Sequence, residues 1–323
     1  MGFIDPYTRV PLKVDHAGNL FSEHDGRRAV YKSYDGVYDF VHPGTRVAEE
    51  KDFYDGRYTQ ARDERVTLKD LHKLWTDNLR PEKRLMLQNL GNLSGKRMLL
   101  IGNGVSRKEF YFLHLGAEIV ITDLSLEAVR HMQRVYAHSE FKERGYDCIE
   151  FHAVDGAHLP FPDASFDVIY GSAFVHHVED LDSLFSEVSR CLEEGGICRF
   201  LDGAYSPVWQ AAKHSILKPI RMYVHRKRGV SQEDLRATAR GGYRKEELDR
   251  LKQKFGFKRL VLIRFSFFLY ISTRAVGKII SFRKSAFRAF WPLFILMKWA
   301  DDFLDKTGLL ADHLVSPVWG FDK

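Results

Sequence analysis

The chain is poor in cysteine: Cys148, Cys191 and Cys198 are the only three among 323 residues, and no two form a Cys-x-x-Cys pair. Neither a disulfide framework nor a thiolate zinc site is therefore expected, no metal is assigned, and a reducing, cytoplasmic setting fits best. Long apolar runs are lacking too. Nowhere do about 18 apolar residues follow one another, which argues against a membrane-spanning helix. The opening MGFIDPYTRVPLKVD lacks the apolar stretch of a secretion signal, and Pro6 stands where a myristoylation signal has Ser or Thr. No internal repeat or low-complexity tract occurs. What remains is 45% hydrophobic and 28% charged, a balance that suits a folded soluble protein rather than a disordered one. The length accommodates one large domain with additions, or two domains.

Charge is unevenly distributed. The formal net charge is +6, yet the stretch from Pro207 to Lys298 holds 22 Lys and Arg against 5 Asp and Glu, a local +17. Such segregation points to an anionic partner, either a phospholipid surface, nucleic acid or a phosphorylated substrate, with a merely solvated basic face as the alternative.

The chemical signals concentrate in the middle of the chain. Residues 97–130, RMLLIGNGVSRKEFYFLHLGAEIVITDLSLEAVR, alternate as buried strand, glycine turn, helix, second strand and terminal acid. This is the pattern of a βαβ nucleotide-binding half. Gly102 and Gly104 let the backbone turn tightly and approach a ligand at a helix start, and Asp123, about twenty residues on, is placed to accept hydrogen bonds from ribose hydroxyls. Taken alone, two glycines in a strand-to-helix turn are equally well explained as structural.

Further along the chain come FHAVDGAHLPFPDASFDVIYGSAFVHHVED and then LDSLFSEVSRCLEEGGICRFLD. Here the sequence resembles the class I methyltransferase family typified by ubiquinone and menaquinone biosynthesis enzymes. The shared features are the acid-hydrophobic-Pro-Phe run ending in Phe-Asp, the His-His pair, and a late Gly-Gly before a strand, in order over about 110 residues. The resemblance implies an α/β, Rossmann-like sheet over roughly 95–205 and S-adenosylmethionine as cofactor. It implies that Gly102 and Gly104 lie near the methionine end, Asp123 at the ribose, and Asp155 with the Gly156 and Ala157 backbone at the adenine. Asn103, Leu124 and Ser172 complete the expected cofactor-binding set. A nicotinamide dehydrogenase is the weaker alternative, because its fingerprint has no counterpart of PFPDASFD or of the His pair. Two positions depart from the family: Leu100 replaces an acid that commonly helps hold the cofactor's ammonium end, and Ser106 replaces a third glycine. That departure keeps open a non-catalytic methyltransferase fold used as a binding or scaffold module.

Methyl transfer from a sulfonium is an in-line displacement whose leaving group needs no acid, so alignment and water exclusion are the main demands. For a phenol or hydroxyl acceptor an imidazole could take the proton. His176 and His177 are the candidate catalytic residues, against a purely structural reading of the pair as a cap or backbone ligand. Asp163 and Asp167 read as turn and strand-start residues.

The flanks define the expected organisation. Residues 1–45 read as a small β-rich module, with turns at DHAGN, EHDGR and SYDGV. It resembles the Trm112-like zinc-ribbon segment that precedes some bacterial methyltransferase domains, but Asp5, Thr8, Ser22 and Asp25 stand at the presumed ligand positions, a poor zinc set. Residues 46–94 read as a helical linker, with Leu68, Leu71, Leu74 and Trp75 at helical spacing and Pro81 opening a further segment. The methyltransferase domain is expected over 95–265. Within it, an insertion at about 204–243 would cover the active site and offer Tyr205, Trp209, Tyr223, His225 and Tyr243 either as substrate contacts or as packing. Residues 266–323 are expected to form a basic, partly helical C-terminal extension. Its run AFWPLFILM, flanked by Arg283, Lys284, Arg288 and Lys298, is too short to span a bilayer; it suits a segment lying in the membrane interface, or else a helix packed on the protein or a dimer partner. The expected acceptor is a small or amphipathic metabolite, such as a lipid, quinone-like ring or lipid-linked sugar, met at an anionic, cytoplasmic membrane surface. An RNA methyltransferase is the alternative, and nucleic acid is the less favoured partner.

Overall fold

A computed structural model describes residues 2–41, 46–59, 64–77, 81–202, 242–263, 290–307 and 318–323. Three short antiparallel strands, β1 (Lys13–Val14), β2 (Leu20–His24) and β3 (Arg27–Tyr31), form a separate small sheet. The main sheet has nine strands. It comprises β4 (Ser33–Tyr34), β5 (Val37–Asp39), β6 (Arg97–Ile101), β7 (Glu118–Asp123), β8 (Ile149–Ala153), β9 (Phe166–Ser172), β10 (Leu192–Leu201), β11 (Arg259–Ile263) and β12 (Val318–Asp322), in the order 11-12-10-9-6-7-8-5-4.

Strands β5 to β10 run parallel wherever they pair with one another. Their near-continuous apolar sequences follow from burial on both faces. Met98 and Leu100 of β6 enter the core on one face, with Trp75, Phe110 and Met132, while Leu99 and Ile101 enter the core on the other, with Leu184, Phe200 and Trp319. The helices that cover the sheet start on residues suited to the task. Ser125 caps α5 (Leu126–Ala137) by accepting from the Ala128 N–H, and Asp180 caps α7 (Leu181–Cys191) by accepting from the Ser183 N–H. Thr67 does the same for α2 (Leu68–Thr76), whose Leu71 and Trp75 are buried as their spacing predicts. The remaining described helices are α1 (Arg46–Tyr58), α3 (Pro81–Leu90), the short α4 (Tyr111–His114) and α6 (Glu140–Glu143), α8 (Lys245–Lys254) and α9 (Trp291–Thr307).

Two expected boundaries need correction. Residues 1–45 do not form a self-contained module, because β4 and β5 extend the main sheet and β5 pairs in parallel with β8. The extension assigned to 266–323 likewise contains a strand of the sheet: β12 runs antiparallel between β10 and β11, pairing with both over five residues. VWGFD is a short apolar run that periodicity alone cannot assign, but its partners decide it. Val318, Trp319 and Phe321 are fully buried, and a Cβ on Gly320 would fall 1.9 Å from the Cys198 carbonyl oxygen. Among the described residues no helix is long and apolar enough to cross a membrane.

Of the four presumed ligand positions near the N-terminus, Asp5 and Ser22 are in contact, the serine hydroxyl donating to the Asp5 carboxylate at 2.5 Å. The same carboxylate accepts the Tyr7 and Thr8 backbone N–H groups. Asp25 lies apart in a turn with φ of 49° and faces His24.

Candidate active site

The carboxyl ends of β8, β7, β6 and β9 lie side by side, and the chain leaves β6 in one direction for β7 and β8 and in the other for β9. Such a switch point opens a crevice at the strand ends. The residues singled out in the sequence converge there. Gly102 and Gly104 form the turn after β6 with φ of 62° and 53°, a region that costs other residues steric strain. Gly102 has a second constraint, since a Cβ there would lie 2.3 Å from the Phe174 ring, which also covers Gly171. Asn103 is nearly buried and ties the turn down, donating Nδ2–H to the Ser106 carbonyl and its backbone N–H to the Thr122 carbonyl.

Asp123 closes β7. One carboxylate oxygen accepts the Gly104 N–H at 2.7 Å and the other accepts the Ser125 N–H at 2.9 Å. Burial nevertheless raises its pKa, because desolvation, helped by the nearby Asp55 charge, outweighs the backbone N–H groups of Ser125, Gly104 and Leu124 that favour the charged form. A carboxylate has about four acceptor sites, so about two remain for a diol. Leu124 follows at the same rim, half-buried. After β8, Asp155 accepts the Ala157 N–H at 2.9 Å and pairs with the His158 Nδ1 at 2.8 Å, a bond that raises the His158 pKa. The Ala157 N–H is thus already engaged within its own turn. A Cβ on Gly156 would sit 3.3 Å from Ile101 and Leu184, so this turn is packed closely against the end of β6.

At the end of β9, Ala173 adopts a φ of 57°, an unusual conformation for a residue with a Cβ, and throws the next segment over the crevice. His176 Nδ1 lies 3.0 Å from Asp202 at the end of β10, and its backbone N–H donates to the same carboxylate. The His177 ring sits 4.1 Å from that of His176, centroid to centroid, and its Nδ1 is 3.4 Å from the Tyr54 hydroxyl. The structure therefore brings the glycine turn, Asp123, Ser172 and both histidines to one edge of the sheet, with Asp155 at the adjoining strand end.

Sequence reasoning expected helix in this stretch but missed that it covers this edge. α1, assigned to a linker, lies across the strand ends: the Asp55 carboxylate accepts from the Ser125 hydroxyl at 2.5 Å and from the Glu127 N–H at 3.0 Å, at the start of α5. Lys51 bridges Asp55 and Asp39 at 3.1 and 3.3 Å, which fastens the helix to β5. Tyr58 reaches the glycine turn, its hydroxyl 3.2 Å from where a Gly104 Cβ would be. The available signal was the i, i+4 spacing of Lys51 with Asp55 and of Tyr54 with Tyr58, which gives the helix one face of cations, acids and phenols. Lys108 and Asp202 were also missed, having no motif of their own. Tyr243, offered either as a substrate contact or as packing, is packing: it is 1% exposed and lies against Trp319. Tyr205, Trp209, Tyr223 and His225 lie outside the described residues, as do Arg283, Lys284 and Arg288.

Residues 99–200 match the family described as a methyltransferase domain. Phosphoethanolamine N-methyltransferase 1 of Zea mays is 29% identical over 125 residues, which cover 38% of this chain and 23% of that protein. An uncharacterised methyltransferase of Bacillus subtilis is 32% identical over 117 residues, 36% of this chain and 44% of its own length. The chain thus spans less than half the length of these relatives. Among solved structures, the geranyl diphosphate C-methyltransferase of Streptomyces coelicolor A3(2) superposes with a TM-score of 0.52 at 14% identity, over 87% of this chain and 99% of that one. At that identity the likeness concerns the fold.

Proposed function

We infer that this chain, which carries a class I methyltransferase domain, binds S-adenosylmethionine across the β8-β7-β6-β9 edge and transfers its methyl group to a small or amphipathic acceptor held under α1. The observation that carries this reading is the convergence of the glycine turn, Asp123 and the His176–His177 segment at one switch point. The residues present fit the cofactor. Asp123 retains acceptor sites toward the crevice after bonding Gly104 and Ser125, and Gly104 leaves an approach that a side chain would close against Tyr58. When bound, the cofactor supplies an activated methyl group on a sulfonium.

The chain's own contribution is alignment, exclusion of water and the fate of a proton. Asp123 orients the ribose, and Asp155 faces the adenine end. α1, fastened by Lys51 and Asp55, closes the crevice over the turn and raises the effective concentration of a bound acceptor. Asp202 holds His176 through Nδ1, leaving Nε2 as the second ring nitrogen. His177 and Tyr54 form a hydrogen-bonding pair between domain and covering helix, suited to holding an acceptor hydroxyl or amine and taking its proton.

The finer part of the proposal concerns the acceptor and where it is met. α9 turns Phe294 and Leu304 inward and leaves Trp291, Ile295, Leu296, Trp299 and Phe303 between 45% and 73% exposed. Such an apolar face, in a region of strong positive charge, supports an amphipathic acceptor met at an anionic membrane surface. Phe294 was expected to belong to that face; at 2% exposure it belongs to the inner one.

Isothermal titration with S-adenosylmethionine tests the cofactor reading, and comparison of metabolites and lipids from cells with and without the protein, fed methyl-labelled methionine, tests the reaction. Labelled lipid or quinone-like product is expected. Absence of cofactor binding would instead favour a scaffold, and label in RNA an RNA methyltransferase.

A further inference from the structure

The two departures from the family pattern meet in one place. Leu100 is fully buried in the core and brings no charge to the turn. Eight residues on, however, Lys108 directs its ammonium to the Ser106 hydroxyl at 2.9 Å and to the Ser172 hydroxyl at 3.2 Å, and to Glu109 Oε1 at 2.7 Å. Glu109 is 0% exposed, and beyond this ion pair its carboxylate has the buried Tyr170 hydroxyl beside it, whose pKa burial and this carboxylate both raise. The Trp75 indole N–H fixes the Lys108 backbone by donating to its carbonyl at 2.7 Å. A buried ion pair is costly to keep even with a few hydrogen bonds around it, so its presence beside the glycine turn calls for an explanation.

Donor counting supplies one. An ammonium has three N–H donors, and here they are directed at Glu109 and the two serines. Each serine oxygen accepts from Lys108, so neither hydroxyl proton is spent on the ammonium; that of Ser172 is shared between the crevice and the buried Tyr170 oxygen beside it. Two hydroxyls polarised by one cation, both half-buried at the ends of β6 and β9, form a pair of donors facing the crevice. They suit an anionic oxygen, and a carboxylate can take both at once. The strand order says which part of a ligand arrives there. With the nucleoside over β7 and β8, at Asp123 and Asp155, the remainder of the molecule extends past the turn toward β9.

We propose that Ser106 and Ser172, oriented by Lys108 and backed by Glu109, form a subsite for the carboxylate of the cofactor's amino-acid end. This rests on the cofactor reading above. Ser106 then serves as a ligand at the position where the family has glycine, and Lys108 and Glu109 are positioning residues behind the two hydroxyls.

The test compares two probes that differ by the carboxylate alone, S-adenosylmethionine and its decarboxylated form, in isothermal titrations on the full chain. The wild type is expected to prefer the carboxylated probe by ten-fold or more. The Ser106→Ala/Ser172→Ala variant is expected to bring that ratio near one, by lowering affinity for the carboxylated probe and leaving the other within two-fold. Lys108→Met combined with Glu109→Gln, which removes both charges together, should act alike; if it fails to fold, the serine variant decides. Variants that keep the wild-type ratio, or that lose affinity for both probes equally, overturn the subsite and leave the cofactor reading standing. A wild type that binds neither probe overturns both.

Discussion

Replacing Trp319 by alanine asks whether the last described residues belong to the core of the main sheet or to an appendage. Trp319 is fully buried, with its ring centroid 5.0 Å from Phe200, 5.3 Å from Tyr243 and 5.9 Å from Phe185. Those three come from β10, the segment before α8, and α7, so one side chain joins three separate stretches of the chain. Truncation of a buried tryptophan to alanine costs about 3–5 kcal/mol, a large part of the roughly 5–15 kcal/mol that stabilises a typical domain. Trp319→Phe is the informative control. The indole N–H is buried without a hydrogen-bond partner, so phenylalanine loses volume but also removes an unsatisfied donor, and its cost should stay under about 2 kcal/mol. Urea unfolding followed by fluorescence and circular dichroism measures both variants. The expected order of midpoints is wild type, then Phe, then Ala well below. An alanine variant that unfolds at the wild-type midpoint would refute the assignment of Val318–Asp322 to the core, and a phenylalanine variant as damaged as the alanine one would refute the argument from the orphaned donor.

Other perturbations address the site and its surroundings. Asp123→Ala should weaken S-adenosylmethionine binding at least about ten-fold, or about 1.4 kcal/mol, by titration calorimetry. Because burial raises the Asp123 pKa, folding gains from its protonated form below the ordinary aspartate value of about 3.9 and loses that gain as pH rises through the raised value. Cofactor affinity has the opposite slope, since the ribose hydroxyls need the carboxylate: it should fall as pH drops through the raised value, and a flat profile would remove Asp123 from that role. Glu187, although buried, has its pKa lowered by hydrogen bonds from Arg190 and Arg9. Its stabilising contribution is therefore present above the ordinary glutamate value of about 4.3 and lost as pH falls through the lower folded value. Arg9→Ala should cost about 1–2 kcal/mol and shift acid unfolding to higher pH, with an unchanged acid transition counting against the clamp. Trp299→Ser with Phe303→Ser should abolish co-sedimentation with anionic vesicles while cofactor binding persists; a wild type that never co-sediments would leave α9 to another partner. Elemental analysis should find no stoichiometric zinc, and one zinc per chain that raises the unfolding midpoint would overturn the reading of Asp5, Thr8, Ser22 and Asp25 as a poor zinc set.

The sheet from β6 to β10 was legible because its strands are buried on both faces and write that fact into runs such as RMLLI and EIVITD. The placing of the glycine turn and Asp123 at adjoining strand ends was legible for a related reason: a glycine turn and an acid about twenty residues later answer to local geometry. The covering of this edge by α1 was not. Tyr54, Asp55 and Tyr58 act through contacts with residues far along the chain, Ser125 and His177 among them, and no local pattern encodes a partner at that distance. β12 was hidden likewise, since its strand character comes from two neighbours that flank it rather than from its five residues. Lys108 sits one residue from Glu109 in a solvated-looking RKE run, and only the burial of the acid distinguishes the pair from surface charge.

The antiparallel seating of β12 also sets a schedule for the ribosome. Leu201 is made well before Val318, yet the two are register partners. At about 5–20 residues per second, the intervening chain takes roughly 6–23 s to synthesise. During that interval β10 has β9 on one side and no β12 on the other, so the nascent sheet presents an unpaired, apolar edge next to Phe200 and Cys198. A chaperone that shields strand edges would find its longest task in this window. A synonymous codon change that slows translation between the two strands would lengthen it, trading soluble yield for aggregate without altering a single residue of the finished protein.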